Sequence, residues 1–302
     1  YDAYSPTMKA AIDRFGGSYA DSDFHKWTYG ADTDWYKELL RTAVITNHSV
    51  GISGGSDKAT YSLGISYLYQ DGVMDTENNY KRLNFRAAVD YDATNWLKVG
   101  FNGVFSKSDQ VLPNNAAWRE AFNTPGIIPV FDEQNTQAFP DKYATPNSIG
   151  LSTNFKNPVA TAKYYDAKNE MRQYMTNFYA QINLLPQKLN FKTNISYNFQ
   201  DINGSVFTPT YYVSDSQQSN TTNLNKSNSQ YSSYIWDNTL TYKDSYGKHN
   251  FGAMLGASMR QETYKNLWGN ATGVPEGSDA YHYLSQGNPT GRTLGDGGTR
   301  YR

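Results

Sequence analysis

The chain has 302 residues, a net charge of −1 and a mean hydropathy of −0.72. That balance gives no bulk electrostatic pull toward nucleic acid or an anionic surface. Cysteine is absent, which excludes a disulfide scaffold, a thiolate zinc site and a cysteine nucleophile. No run approaches the ~18 consecutive apolar residues of a membrane-spanning helix. Tyrosine is the anomaly, at 26 residues beside 14 Phe and 6 Trp. Tyr and Trp suit a surface that is apolar on one side and wet on the other.

Residues 1–44 read as a loop segment with a short helix over 33–40, capped by Thr33 or Asp34. Period-2 runs follow, and they come in pairs joined by short connections. Runs 49–53 and 60–70 flank Gly54-Gly55-Ser56-Asp57-Lys58, in which Gly54-Gly55 reads as a hairpin turn. Runs 82–91 and 96–106 flank 92–95, runs 172–185 and 189–200 flank 186–188, and runs 231–244 and 250–264 flank 245–249. Within them apolar residues alternate with polar ones: Tyr61, Leu63, Ile65, Tyr67 and Tyr69 against Thr60, Ser62, Gly64, Ser66 and Gln70. Such alternation predicts strands with one apolar face. At about 10–14 residues, they are longer than the ~5–6 of ordinary sheets and reach the ~9–11 that a tilted strand needs to cross a bilayer. Arg86, Asp90, Lys98, Lys192 and Arg260 all fall on the polar faces, where a wet lumen tolerates them and lipid does not.

Between the pairs lie longer polar stretches. Segment 107–170 holds a second short helix over 115–122 and a run of prolines. Segment 201–230 contains a tract of Ser, Asn, Gln and Thr, and segment 265–302 is rich in Gly. All three read as loops. Strict alternation of short turns and long loops is the pattern of a transmembrane β-barrel. A soluble β-sandwich or β-solenoid is the competing fold, weakened by the strand lengths. The first residues, Tyr1-Asp2-Ala3, show neither the basic nor the apolar region of a signal peptide, and both ends are expected to lie inside a longer protein.

No catalytic constellation is discernible, so no enzyme activity or cofactor is expected. His25, His48, His249 and His282 are far apart and are expected to stand alone. Asp21/Asp23 and Asp32/Asp34 have oxygen donors of the kind that calcium takes, but a solvated acidic loop is the favoured reading, and no metal is expected. Gly54-Gly55 lacks the Lys-Ser/Thr of a phosphate-binding loop. Sugar recognition uses aromatic faces beside hydrogen-bonding groups. The loop candidates are Trp118, Arg119, Tyr164, Tyr165, Tyr211, Tyr212 and Trp268, each of which also suits plain packing.

An ordered set of motifs carries a resemblance. Asp34-Trp35 and Arg41-Thr42-Ala43 lead into Ser49-Val50-Gly51-Ile52-Ser53-Gly54-Gly55. Next come Thr60-Tyr61-Ser62-Leu63-Gly64, Tyr69-Gln70-Asp71-Gly72-Val73, Tyr80-Lys81-Arg82-Leu83-Asn84-Phe85-Arg86 and Trp96-Leu97-Lys98-Val99-Gly100. Asn157-Pro158-Val159-Ala160 and Asn238-Thr239-Leu240-Thr241-Tyr242 come later, followed by Gly247-Lys248-His249-Asn250-Phe251. From about residue 34 to 264 this order resembles the SusC/RagA-type TonB-dependent transporters. The resemblance implies an all-β fold: an antiparallel transmembrane β-barrel segment of about eight strands from a roughly 22-stranded barrel, with short periplasmic turns and long extracellular loops. Strands would occupy 45–264, with loop segments at 1–44 and 265–302. The family's plug domain and TonB-contacting segment have no counterpart in these residues.

The implied function is TonB-dependent import of glycans or peptides across the bacterial outer membrane. A SusD-like surface lipoprotein and TonB would be the partners, and nucleic acid would not. A siderophore receptor shares the same barrel, and a soluble all-β carbohydrate-binding or adhesion module is the reading from another class.

Overall fold

The computed structural model describes residues 6–16, 30–186 and 188–301. Its main body is an antiparallel sheet of nine strands: β1 (Ile45–Ser56), β2 (Ala59–Asp71), β3 (Asn79–Asp92), β4 (Leu97–Leu112), β5 (Asp166–Leu185), β6 (Leu189–Thr208), β9 (Asn223–Tyr246), β10 (His249–Thr272) and β11 (Thr293–Tyr301). Every strand pairs with its predecessor in this order, so the sheet is a meander. A two-stranded ribbon, β7 (Tyr211–Ser214) with β8 (Gln217–Ser219), rises from the β6–β9 connection. Four short α-helices lie among the described residues: α1 (Pro6–Arg14), α2 (Trp35–Leu39), α3 (Ala116–Asn123) and α4 (Pro158–Lys163). Among the described residues no helix is long and apolar enough to cross a membrane.

Connections alternate without exception. The short ones, 57–58, 93–96, 186–188 and 247–248, lie at one end of the sheet. The long ones, 72–78, 113–165, 209–222 and 273–292, lie at the other. The helix expected over 33–40 is α2, where the Asp34 carboxylate accepts from the Tyr36 and Lys37 amides at 3.1 Å each, the expected N-cap bond.

The sheet differs from the sequence expectation in three places. The first turn is Asp57-Lys58, and Gly54-Gly55 belongs to β1. These glycines allow close approach: a Cβ at Gly54 would stand 2.6 Å from the Tyr61 hydroxyl of the facing strand. Secondly, the sheet has nine strands. Residues 265–302, read as a loop, instead hold the end of β10 and the whole of β11, which pairs with it from Glu262 to Asn270. Thirdly, the segments 107–170 and 201–230 lose their ends to strands: β4 runs to Leu112, β5 starts at Asp166, β6 runs to Thr208 and β9 starts at Asn223. All these missed stretches lie toward the long loops, where both faces of the wall are polar. Hydrophobic alternation is therefore missing although the backbone ladder continues.

Burial is inverted relative to a water-soluble domain. The buried apolar residues sit in the loops: Ile12, Trp35, Leu39, Met74, Ala117, Ile128 and Ile149 form one cluster, joining α1 and α2 to the 72–78 and 113–165 loops. The sheet instead leaves large apolar side chains in the open, Phe178 at 55%, Leu255 at 72% and Met259 at 59% exposure among them. A continuous exposed apolar surface marks an interface.

That surface has a definite geometry. Cross-strand partners share a face, and the apolar face carries Tyr61 to Tyr69 on β2, Leu83 to Tyr91 on β3, Leu97 to Phe105 on β4 and Tyr174 to Ile182 on β5. It continues as Leu189 to Phe199 on β6, Tyr234 to Tyr242 on β9 and Phe251 to Met259 on β10. Each stretch is nine to eleven residues long. Its edge drifts steadily along the register. Followed across the ladder, Tyr69, the upper edge on β2, lines up with Leu267 on β10, eight residues beyond Met259, the upper edge there. Eight residues are about 26 Å along a strand, and six strand spacings are about 29 Å across the sheet. A horizontal band thus requires strands tilted by about 40°, the tilt of membrane barrels. The lower edge drifts by the same eight residues, from Tyr61, which lines up with Met259, to Phe251.

Candidate functional site

Two features carry chemistry: the polar face opposite the band, and the cap formed by the long loops.

On the polar face side chains pair with neighbours on the same wall. The Tyr179 hydroxyl donates to Asp90, and Lys192 lies 4.6 Å over the Tyr179 ring. Gly100 makes room for this group, since a Cβ there would fall 2.1 Å from the Tyr179 ring and 2.6 Å from the Asp90 carboxylate. Nearer the long loops Tyr231 donates to Glu262 at 2.7 Å, and Arg260 pairs with the same carboxylate. Asn177 donates to Asn194 and Ser196, each at 2.8 Å. This face offers a dense field of hydroxyl, amide and charged groups to whatever lies beside it.

The cap is held by Asn157, which is buried. Its Oδ1 accepts from the Val159 and Ala160 amides and so caps α4. Its Nδ2 donates to the Val130 and Ala144 carbonyls at 2.9 and 3.2 Å. Its backbone amide donates to Gln217 Oε1 at 2.8 Å, and Gln217 Nε2 returns a bond of 2.8 Å to the Asn157 carbonyl. One asparagine therefore ties the 113–165 loop to the β7–β8 ribbon.

Of the aromatic candidates, the structure brings Tyr164 and Tyr211 together as a stacked pair, ring centroids 4.4 Å apart. Tyr164 is buried beside Tyr143 and Val213, and its hydroxyl donates to Asp141 at 2.7 Å. Burial and that hydrogen bond push the Tyr164 phenol well above the ordinary tyrosine range. Burial opposes ionisation of Asp141, but the bonds from Tyr164 and Lys163, the latter at 3.1 Å, outweigh it and hold the carboxyl below its usual value. Tyr165 is half-buried after α4. Trp118 is half-buried against the helix cluster and stacks on Tyr36 at 6.2 Å, while Arg119 beside it points to solvent. Tyr212 lines a polar cavity of about 620 Å³ with Arg14, Gln134, Asn147 and Asp215. Trp268 lies on β10, far from the others, with its ring against Gly295. The seven residues do not form one site.

Sequence reasoning missed a further cluster. His282, expected to stand alone, is buried with its ring stacked on Phe207 at 3.9 Å and its Nδ1 3.3 Å from Asp279. Asp166, Asp279 and His282 lie within mutual metal-ligand reach, but Lys168 already supplies a cation there, 3.2 Å from Asp166 and 2.5 Å from Asp279. Burial pulls the Lys168 ammonium down, and the two carboxylates more than restore it. The group pins the 273–292 loop to the wall. Only its pairing in space reveals it, since 113 residues separate Asp166 from Asp279. His48 and His249 are exposed strand residues, Asp34 is a helix cap, and Asp21, Asp23 and His25 lie outside the described residues.

No protein-family model matches the chain. It is 26% identical over 278 residues to TonB-dependent receptor P3 of Formosa agariphila, covering 86% of this chain and 26% of that protein. It is 30% identical over 132 residues to TonB-dependent receptor SusC of Bacteroides thetaiotaomicron, covering 42% of this chain and 13% of that protein. Among solved structures, the RagAB peptide transporter superposes with a TM-score of 0.67 at 19% identity, over 97% of this chain and 33% of that one. The RagAB importer in its closed-closed state gives 0.65 at 20% identity, over 96% and 33%. The chain spans about a quarter of the length of the first curated relatives it matches. The chain is thus similar in sequence to TonB-dependent receptors, SusC among them, and shares the fold of a stretch of the RagAB transporter's barrel wall, a meander with a tilted apolar band, a polar opposite face and a one-sided loop cap.

Proposed function

We propose that this chain forms part of the wall and outer mouth of an importer in the bacterial outer membrane, which takes up glycans or peptides with energy delivered through TonB. The observation that carries the reading is the apolar band, whose drift along the register gives the strand tilt of a membrane barrel, backed by a polar face suited to a wet lumen. The long loops face the outside and meet the cargo and a SusD-like lipoprotein, and the short turns face the periplasm. The relative whose structure is described as a peptide transporter makes peptides a cargo to test beside glycans. The exposed Arg119 and Tyr212 at its cavity, both in the cap, and Trp268 on β10 of the wall are the sequence candidates open to a ligand. Tyr164 and Tyr211 are spent on packing, and Trp118 and Tyr165 are half-covered.

The test uses the complete protein in its own outer membrane. Uptake of labelled oligosaccharides and oligopeptides is measured in wild-type cells, in a strain lacking this protein and in one lacking TonB. Loss of uptake of one cargo class in both mutant strains is expected. Unchanged uptake of both classes without the protein, or uptake indifferent to TonB, would overturn the proposal.

A further inference from the structure

Above the band, the inward face of β9, β10 and β11 has a composition of its own. Its rows run from the Tyr231–Tyr264 pair up to the Asn225–Asn270 pair. Between these pairs no inward residue of the three strands is charged. Outward residues of the same stretch include Lys226, Lys265 and Asp296. The inward face is therefore uncharged by segregation, and not because the strands lack charge. Just below it Arg260 and Glu262 cancel each other, and Tyr231 donates to the same carboxylate.

The loops leave this surface uncovered. The 273–292 loop folds on the outward side, where Leu284 comes against Gly269 and Tyr283 against Lys226. On the inward side Tyr264 is 42% and Trp268 45% exposed. Gly295, the cross-strand partner of Trp268, has no side chain to hold the indole off, and a Cβ there would fall 2.5 Å from the ring. The ring therefore lies against β11 and turns its other face to the lumen. Beside it Gly297, opposite Asn266, leaves a bare shelf, since a Cβ there would meet nothing within 4 Å. Hydrogen-bonding capacity is left over next to the rings. Asn266 Oδ1 accepts from Ser229 at 3.0 Å, but Asn266 Nδ2 and Trp268 Nε1 donate to no described residue. Asn270 Nδ2 donates to Asn223 and Asn225 at 2.8 Å each, while its Oδ1 accepts from no described residue.

We propose that this surface is a subsite for an uncharged oligosaccharide at the outer mouth of the channel. A sugar turns its C–H face to an aromatic ring and its hydroxyls to donors and acceptors at the ring's edge, and this surface supplies both. Tyr264 and Trp268 stand about 13 Å apart along β10, so an extended chain of sugars reaches both. A peptide brings charged termini, for which the surface holds no ion partner. Both rings lie beyond Met259, the upper edge of the band on β10, and so at the entrance of the lumen. The inference rests on the import reading and narrows its cargo.

The complete protein in detergent micelles is titrated by calorimetry with heptasaccharides of α-glucan, β-glucan, xylan and mannan type, and with a heptapeptide mixture. At least one heptasaccharide is expected to bind. Trp268→Ala is expected to raise its Kd about tenfold, the size of one lost ring stack. Gly297→Val, which fills the shelf and leaves the indole in place, should act in the same direction. Trp268→Phe should recover most of the affinity, and Lys265→Gln, on the outward side, should leave it unchanged. Peptide binding, wherever on the protein it occurs, should respond to neither strip variant. Binding of no heptasaccharide, a Kd unmoved by Trp268→Ala and Gly297→Val, or equal weakening of peptide and saccharide would overturn the proposal. Were the strip covered by another segment of the complete protein, both variants would lower the unfolding temperature and leave the Kd alone, which overturns it too. Failure of the import reading shows itself elsewhere: uptake by cells would persist without the protein or without TonB, whatever the purified protein binds.

Discussion

Ile195 on β6 and Met259 on β10 occupy the same row of the ladder, with Trp236 between them. If register set membrane depth, arginine at either position would cost the same. The drift of the band gives another answer. Ile195 lies four residues from the upper edge at Phe199 and six from the lower edge at Leu189, which at about 40° of tilt puts it about 10 Å inside the hydrocarbon. Met259 is itself the upper edge. Ile195→Arg should therefore cost about 2–4 kcal/mol, the midplane value, and Met259→Arg about 0–1 kcal/mol. Asn194→Arg, one residue from Ile195 but on the polar face, should be near neutral. Urea unfolding of the complete protein in lipid vesicles, followed by tryptophan fluorescence, measures all three. Equal losses for Ile195→Arg and Met259→Arg would refute the tilt, and a loss for Asn194→Arg matching that for Ile195→Arg would refute the assignment of faces.

Two further outcomes concern the cap. Asn157→Ala removes a helix cap worth about 1 kcal/mol and leaves the Ala144 carbonyl short of a donor at about 1–3 kcal/mol, while the Val130 carbonyl keeps its bond from the Ala144 amide. Hydrogen exchange should then rise across 113–165 and 211–219 while β4 and β5 stay protected; unchanged exchange in the cap would contradict the role given to Asn157. For the Tyr164–Asp141 pair the signs differ by partner. The depressed Asp141 carboxyl contributes stability above the unfolded carboxylate range, lost as pH falls through its folded value, and the raised Tyr164 phenol contributes below the unfolded tyrosine value, lost as pH rises through its folded one. Protease resistance of the 130–165 region should be flat from about pH 5 to 9 and fall on either side, and Tyr164→Phe should lessen the alkaline fall, part of which stays with Tyr143, whose phenol burial also raises; an unaltered alkaline fall in that variant would assign it elsewhere.

The parts of the fold that lie in the band were legible because lipid on one face and water on the other impose a two-residue period. Ile65, Phe85, Phe101 and Ile195 announce their strands in this way. Beyond the band that contrast vanishes. Thr293 to Tyr301 form a strand through backbone pairing alone, with Gly295, Gly297 and Gly298 giving no hydrophobic signal. The turn misplacement has a similar origin: Gly54-Gly55 looks like a turn by composition, yet Tyr61 uses the space above Gly54. In the cap, sequence named the right kinds of residue without their partners. Tyr164 and Tyr211 are 47 positions apart, and only the folded loop shows that they stack on each other rather than wait for a ligand.

The meander has a kinetic consequence. Three of the junctions between long-loop-linked strands can close soon after the preceding strand is in place, but β4 and β5 must meet across residues 113–165, a gap of 53 residues. Closing such a loop as flexible chain costs an entropy equivalent to roughly 3–4 kcal/mol before any ladder bond forms. The buried cluster of the cap shortens that search, because Ala117, Ile128, Ile149 and Ala162 pack into one body whose ends already approach each other. The cap is thus an assembly device: where it folds late, the wall stalls with β4 as its bare edge, the state most exposed to mispairing.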